Sequence, residues 1–190
     1  MDEATAPRVT YLLVDGENLD ATLGNDILRH RPSPEERPRW ERVTDFLRQA
    51  WGQEVRGLFF LNASSGTLPM PFVQALLALG YRVVPLAGTK DQKVVDVGIQ
   101  RTLTALSARD ADVALISHDA DFEPQLRALV ADRRVAVLGF REYVSQRLAE
   151  LEALGLEFFD MELMVGAFNV PLPRVRIIPL DEFDPAAFLW

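Results

Sequence analysis

Two short strand-like runs, each ending abruptly in acid, constrain this chain most. Val113-Ala-Leu-Ile116 has no polar residue and then meets Ser117-His118-Asp119-Ala120-Asp121. An apolar run without alternation, bounded by turn residues, reads as a strand buried on both faces. Val9–Val14 is a second β-rich run, and it stops at Asp15-Gly16-Glu17-Asn18. Strands covered on both faces belong to parallel sheets flanked by helices. Both acid-ended strands therefore direct carboxylates to the edge where open α/β sheets bind ligands. The same residues have a plainer use, since Asp119, Asp121 and Asp15 could serve only to turn the chain and cap the helices that follow.

The rest of the chain alternates as such a sheet requires. A helix is expected from Pro38 or Trp40 to Trp51, with Val43, Phe46, Leu47 and Ala50 on one face. A strand follows at Glu54–Leu61, then a helix at Pro69–Leu79 stopped by Gly80, then a strand at Tyr81–Leu86. The Gly88–Asp91 loop opens a helix to about Ser107, and Phe122–Val130 is another. Arg134–Phe140 is the fifth strand, Ser145–Leu154 a helix closed by Gly155, and Leu156–Phe159 a short sixth strand. This order predicts parallel strands joined by right-handed crossovers. The expected fold is a three-layer α/β/α domain of five or six strands, in the order 3-2-1-4-5. From Pro171 the pattern changes, because prolines 171, 173, 179 and 185 forbid a long helix. Residues 1–165 are read as the domain. Residues 166–190 are read as an extended tail that packs on the domain or on a partner subunit, which would make the tail a route to a homodimer.

Composition narrows the chemistry. The chain has no cysteine, which excludes disulfides, thiolate metal sites and cysteine nucleophiles. No apolar run is long enough for a membrane span, and the acidic start does not resemble a signal peptide, so a cytoplasmic location is expected. The net charge of −8 argues against a general nucleic-acid coat, but not against a local basic rim. Residues 24–42 form the most cationic stretch, read as a loop broken by three prolines and carrying Arg29, His30, Arg31, Arg37, Arg39 and Arg42. Trp40 there either stacks on a single strand or packs inward. The lysines, Lys90 and Lys93, fall in one segment, and Lys93 is three residues before Asp96. A helical turn makes those two neighbours, either as a surface pair or as part of a site.

In the order 3-2-1-4-5, strands one and four are adjacent. Asp15, Asp119 and Asp121 then meet at the switch point, with Asp96 reaching in from the start of its helix. Clustered carboxylates repel unless cations lie between them. Oxygen-only ligation suits Mg²⁺ or Mn²⁺. Such an ion can hold a scissile phosphate and lower the pKa of water.

Three motifs in this order, Asp15-Gly-Glu-Asn18, Lys93-Val-Val-Asp96-Val and Ser117-His-Asp119-Ala-Asp121-Phe122, resemble the signatures of the NYN domain, the bacterial branch of the PIN-like nucleases. The resemblance covers about residues 9–140. It implies a PIN-like fold and metal-dependent cleavage of RNA. It also implies that Asp15, Asn18, Asp96, Asp119 and Asp121 are the site positions, with Ser117 as a supporting hydroxyl. Asp15, Asp96, Asp119 and Asp121 would hold the metal, and Asn18 would orient a ligand or water. Lys90, Lys93, Arg29 and Arg31 are candidates for phosphate contacts, with single-stranded RNA as the expected partner. Two positions depart from the pattern. Thr102 stands where many relatives carry a further acid, which points to weakened or lost activity. His118 stands where relatives usually have glycine, and it is expected to face solvent. The alternative function is a non-catalytic RNA-binding or regulatory scaffold. A phosphotransferase or topoisomerase-like Asp-x-Asp site is a third reading. It is disfavoured because no phosphate-cradling glycine loop is present and no glutamate ends the first strand.

Overall fold

The computed structural model describes residues 8–189; the acidic start and Trp190, to which two of the sequence expectations apply, lie outside them. Six parallel strands form one sheet in the order β3-β2-β1-β4-β5-β6. They are β1 (Val9–Asp15), β2 (Glu54–Asn62), β3 (Arg82–Leu86), β4 (Ala111–Ile116), β5 (Val135–Gly139) and β6 (Glu157–Asp160). The chain runs outward from β1 to the β3 edge, then crosses back to β4 on the other side of β1. The switch point therefore lies between β1 and β4, where ligands of open α/β sheets bind.

Alternation along the strands divides the core in two. Leu12, Val14, Ala114 and Ile116 face one helical layer, whereas Leu13, Val113 and Leu115 face the other. The first layer holds α1 (Gly16–Ala21), α2 (Trp40–Trp51) and α3 (Met70–Ala78). The second holds α4 (Val94–Leu106), α5 (Glu123–Val130) and the short α6 (Gln146–Ala149). Every central strand is thus covered on both sides, as its uninterrupted apolar sequence requires.

Several sequence expectations change. Residues 24–28 are not loop, because α1 continues without a break into a π-helical segment, Thr22–Leu28. Leu19, Leu23 and Ile27 recur every four residues and are all buried, so an apolar stripe carries the helix through Gly24 and Asn25. The prolines act only later, and the irregular stretch spans 29–39, opening at Arg29 with φ 63°. Gly16 serves close packing, since a Cβ there would sit 2.6 Å from a ring carbon of Phe59. Trp40 packs inward, edge-on to Phe59 at 4.9 Å between ring centroids, which removes it as a platform for bases. The expected helix over 145–154 is α-helical only for Gln146–Ala149 and tightens to a 3₁₀ turn over Glu150–Leu154.

The first part of the tail is built into the domain. Ala167 and Leu172 join the first core layer, and Arg174 is buried over the Phe140 ring. Its guanidinium lies 2.6 Å from Asp160, 3.1 Å from Glu162 and 3.2 Å from Glu142. Beyond it Val175, Ile177, Leu180 and Leu189 are exposed. No helix among the described residues is long and apolar enough to cross a membrane.

Candidate metal centre

Strand register builds the floor of the site. Val14 of β1 pairs with Ile116 of β4, so Asp15, the last residue of β1, stands beside Ser117, the first residue past β4. Ser117 Oγ donates to Asp15 Oδ2 at 3.0 Å and accepts from the backbone N–H of Asp119 at 3.2 Å. Asp15 Oδ1 accepts from the N–H of Asn18 at 3.2 Å, which caps α1. Asp15 is only 2% exposed. Burial pushes its carboxyl up to about 6 against the lowering effect of the Asn18 N–H and the Ser117 hydroxyl, with Asp96 and Glu17 adding repulsion.

Above this floor Asp96, from the first turn of α4, meets Asp119 and Asp121 from the loop after β4. One carboxylate oxygen of each lies within 4.8 Å of the other two. The backbone N–H of Asp121 bonds Asp119 Oδ1 at 2.9 Å, which fixes the loop as a short turn before α5. Asp96 has its pKa raised, first by burial and then by Asp119 and Asp121, while Lys93 opposes the shift. Lys93 Nζ lies 3.3 Å from Asp121 and 3.5 Å from Asp96, so the group holds one internal cation on an exposed, flexible stem. The hydrogen bond to Asp121 and the surrounding acids raise the lysine's own pKa.

Of the four carboxylates expected to share the site, those of Asp96, Asp119 and Asp121 meet most closely. Asp15 adjoins them: the Ser117 hydroxyl links it to the Asp119 N–H, and the Asp96 charge helps to raise its pKa. The three remaining donors fit a hard divalent cation: all are carboxylate oxygens, they are close enough to share one ion, and their repulsion is only partly offset by Lys93. Glu17 was missed as a neighbour of the site. Burial and the Asp96 charge raise its pKa, and its place two residues past a strand-ending aspartate was the available signal.

The other named residues divide clearly. Asn18 turns its Oδ1 to His118, accepting from the backbone N–H and from ring Nδ1, each at 2.9 Å. His118 does not face solvent. It is 5% exposed, its Nε2 accepts from the Phe140 N–H at 2.8 Å, and burial lowers its pKa to about 4. The ring fits because residue 139 is glycine, whose added Cβ would lie 2.6 Å from Nε2. Lys90 is exposed in the loop before α4. Arg29 and Arg31 are exposed around a separate cavity of about 480 Å³ at the far end of the α1–π-helical rod, beside Gly24 and Pro32. The whole of α1 and the π-helical segment separates them in the chain from Asp15. Thr102 lines a groove against β3 with Val94, Val97 and Arg101. Six residues past Asp96 is a separation of roughly 120° round a helix, so position 102 sits a third of a turn from Asp96, on a groove that Lys93 also lines.

A model of the NYN domain family matches residues 9–156. Comparison with curated proteins finds no match. A similar solved structure is that of VPA0982, a protein of unknown function from Vibrio parahaemolyticus RIMD 2210633. It is 20% identical with a TM-score of 0.62, and the likeness covers 82% of this chain and 93% of that one. At that identity the likeness speaks to the fold. The family match takes in both acid-ended strands, α4 and the loop that carries Asp119 and Asp121, and on this ground the chain belongs to the NYN domain family of the PIN-like nuclease superfamily.

Proposed function

We propose that the chain is a metal-dependent endoribonuclease that hydrolyses phosphodiester bonds in single-stranded RNA, acting in the cytoplasm. The observation that carries this reading is the meeting of Asp96, Asp119 and Asp121 within 4.8 Å in an NYN domain. These three would hold Mg²⁺ or Mn²⁺. When bound, such an ion supplies a Lewis acid for the phosphate and lowers the pKa of water at neutral pH.

The protein's own residues do the rest. Asp15 and Ser117 hold the Asp119 loop from beneath through the hydroxyl that bonds both. Lys93 is the cation beside the acids and is free to swing from them to a phosphate oxygen. Lys90, exposed in the loop before α4, would add a second positive charge for the incoming strand. With a net charge of −8, RNA affinity rests on few contacts and falls steeply with salt.

Lys93 also favours a second reading. Because its ammonium already lies among the acids, the chain could be a non-catalytic RNA-binding scaffold whose site is neutralised from within. The two are separated with a labelled single-stranded RNA incubated with Mn²⁺ or Mg²⁺. Metal-dependent cutting by the wild type, lost in Asp119→Asn, supports the nuclease. Binding without cutting under any metal supports the scaffold.

A further inference from the structure

We propose that His118 is a positioning residue: it locks the Asn18 amide with its NH₂ group outward, so that Asn18 meets the substrate as a hydrogen-bond donor to a phosphate oxygen and not as a metal ligand. The orientation follows from atoms that have no choice of role. A backbone N–H only donates, so the Asn18 atom 2.9 Å from the His118 nitrogen is the oxygen. The Phe140 N–H also only donates, so His118 Nε2, 2.8 Å away, carries a lone pair. The neutral ring then bears its proton on Nδ1 and gives it to the same Asn18 oxygen at 2.9 Å. Thr22 Oγ1, 3.3 Å from Nδ1, is a longer second contact.

Two donors use both lone pairs of Asn18 Oδ1, which leaves none for a cation. Asn18 Nδ2 makes no hydrogen bond among the described residues, and the side chain is only partly buried. The residue that Asn18 holds, His118, directly precedes Asp119, one of the carboxylates that would hold metal. A donor there repels a cation and suits an anionic oxygen, as side-chain amides commonly do for nucleic-acid phosphates. The ring cannot relax to another pose, because it stacks on Phe140 at 14° between planes and meets Tyr143 edge-on.

The inference rests on the site being one for RNA, and its test separates the two claims. The full chain is studied by ¹⁵N NMR, with His118→Asn identifying the ring signals. A protonated Nδ1 and an unprotonated Nε2 are expected; an Nε2–H tautomer overturns the proposal. Mn²⁺ titration compares Asn18→Ala with Asp119→Asn. Unchanged metal affinity in the first and lost affinity in the second are expected; equal losses overturn it. RNA affinity is then measured with Ca²⁺ in place of the reactive ion. Asn18→Asp, which keeps the oxygen and removes the donor, should bind a short single strand about tenfold more weakly. His118→Leu should fall by a similar factor. His118→Asn, whose amide nitrogen takes the place of Nδ1, should stay within about threefold of wild type. Binding by Asn18→Asp equal to wild type overturns the proposal. If no form binds RNA, the nuclease reading fails alone, and the tautomer and the Mn²⁺ titration still decide whether Asn18 is donor or ligand.

Discussion

The two ends of the central strands treat a buried aspartate in opposite ways. At the amino end Asp112 is 1% exposed, yet every bond it needs is present. Its oxygens accept from Gln53 Nε2 at 2.6 Å and from the Arg134 N–H at 3.0 Å, and Gln53 in turn accepts from Thr10. Next to it the Arg133 side chain donates to the carbonyls of Leu106, Ser107, Arg109 and Ala111, closing the end of α4. At the carboxyl end Asp15 is equally buried, but it faces other acids and its pKa is raised to about 6. Asp96 and Glu17 are raised with it. Both aspartates accept two donors, so burial and satisfied oxygens do not mark a functional carboxylate; Asp112 has Arg8 at 3.5 Å, whereas Asp15 is set among like charges. One end closes the sheet, and the other keeps charge that a cation would relieve.

The largest expected effect tests that division directly. Asp119→Asn should lower Mn²⁺-dependent RNA cleavage by about 10³-fold or more. Asp112→Asn should leave the rate per folded molecule unchanged. If both variants lose activity alike, the two ends are not functionally distinct.

Stability should respond in the reverse sense. Asp112→Ala leaves the Gln53 and Arg134 donors unpaired and should cost about 3 kcal/mol, read by urea unfolding. Asp15→Asn should instead stabilise the fold at pH 8 by about 2 kcal/mol. The sign follows from the raised pKa: the folded state holds the proton more tightly, so the charged form is a burden once pH passes about 6. The gain should vanish below the ordinary value of 3.8 and grow between the two. A gain equal at pH 4 and pH 8 would break the link to charge.

His118 supplies the opposite slope. Its pKa is lowered from 6.5 to about 4, so its stabilising contribution is complete above 6.5 and is lost as pH falls towards 4. Across that window it offsets Asp15, whose burden eases as pH falls. Removing the titration in His118→Asn should make the deficit against wild type shrink by about 1–2 kcal/mol between pH 7 and pH 4.5. Thermal melts across that range test it, and a constant deficit would place the titration elsewhere.

The smallest effect sharpens the comparison at the carboxyl end. Millimolar Mn²⁺ should stabilise the wild type by about 1 kcal/mol through mass action, and Lys93→Ala should bind the ion several-fold more tightly because its competitor is gone. Calorimetric titration of both forms measures this. Tighter binding in Lys93→Ala with weaker RNA affinity supports a lysine that moves between acids and phosphate.

Sequence by itself determined what depends on short-range pattern. Val9–Val14 and Val113–Ile116 had to be covered strands, since unbroken apolar runs cannot face water. Alternation of strands and helices then led to the sheet order, and the order to the acids on one edge. Lys93 and Asp96 were legible as neighbours because three residues make a helical turn. What the tertiary structure decided was relative height and direction. Asp15 is linked through Ser117 to the Asp119 loop because of a register between strands about a hundred residues apart, which no local pattern carries. His118 turns inward because Gly139 leaves a space for it and Phe140 offers a donor, and both come from a different strand and the loop beyond it. Trp40 is core and not a base platform because Phe59 of β2 lies beneath it. Arg174 fixes the first part of the tail through Asp160, Glu162 and Glu142, acids that lie scattered in sequence and meet only once β6 is in place. Periodicity reports which face a residue takes. Only packing at a distance reports what that face meets.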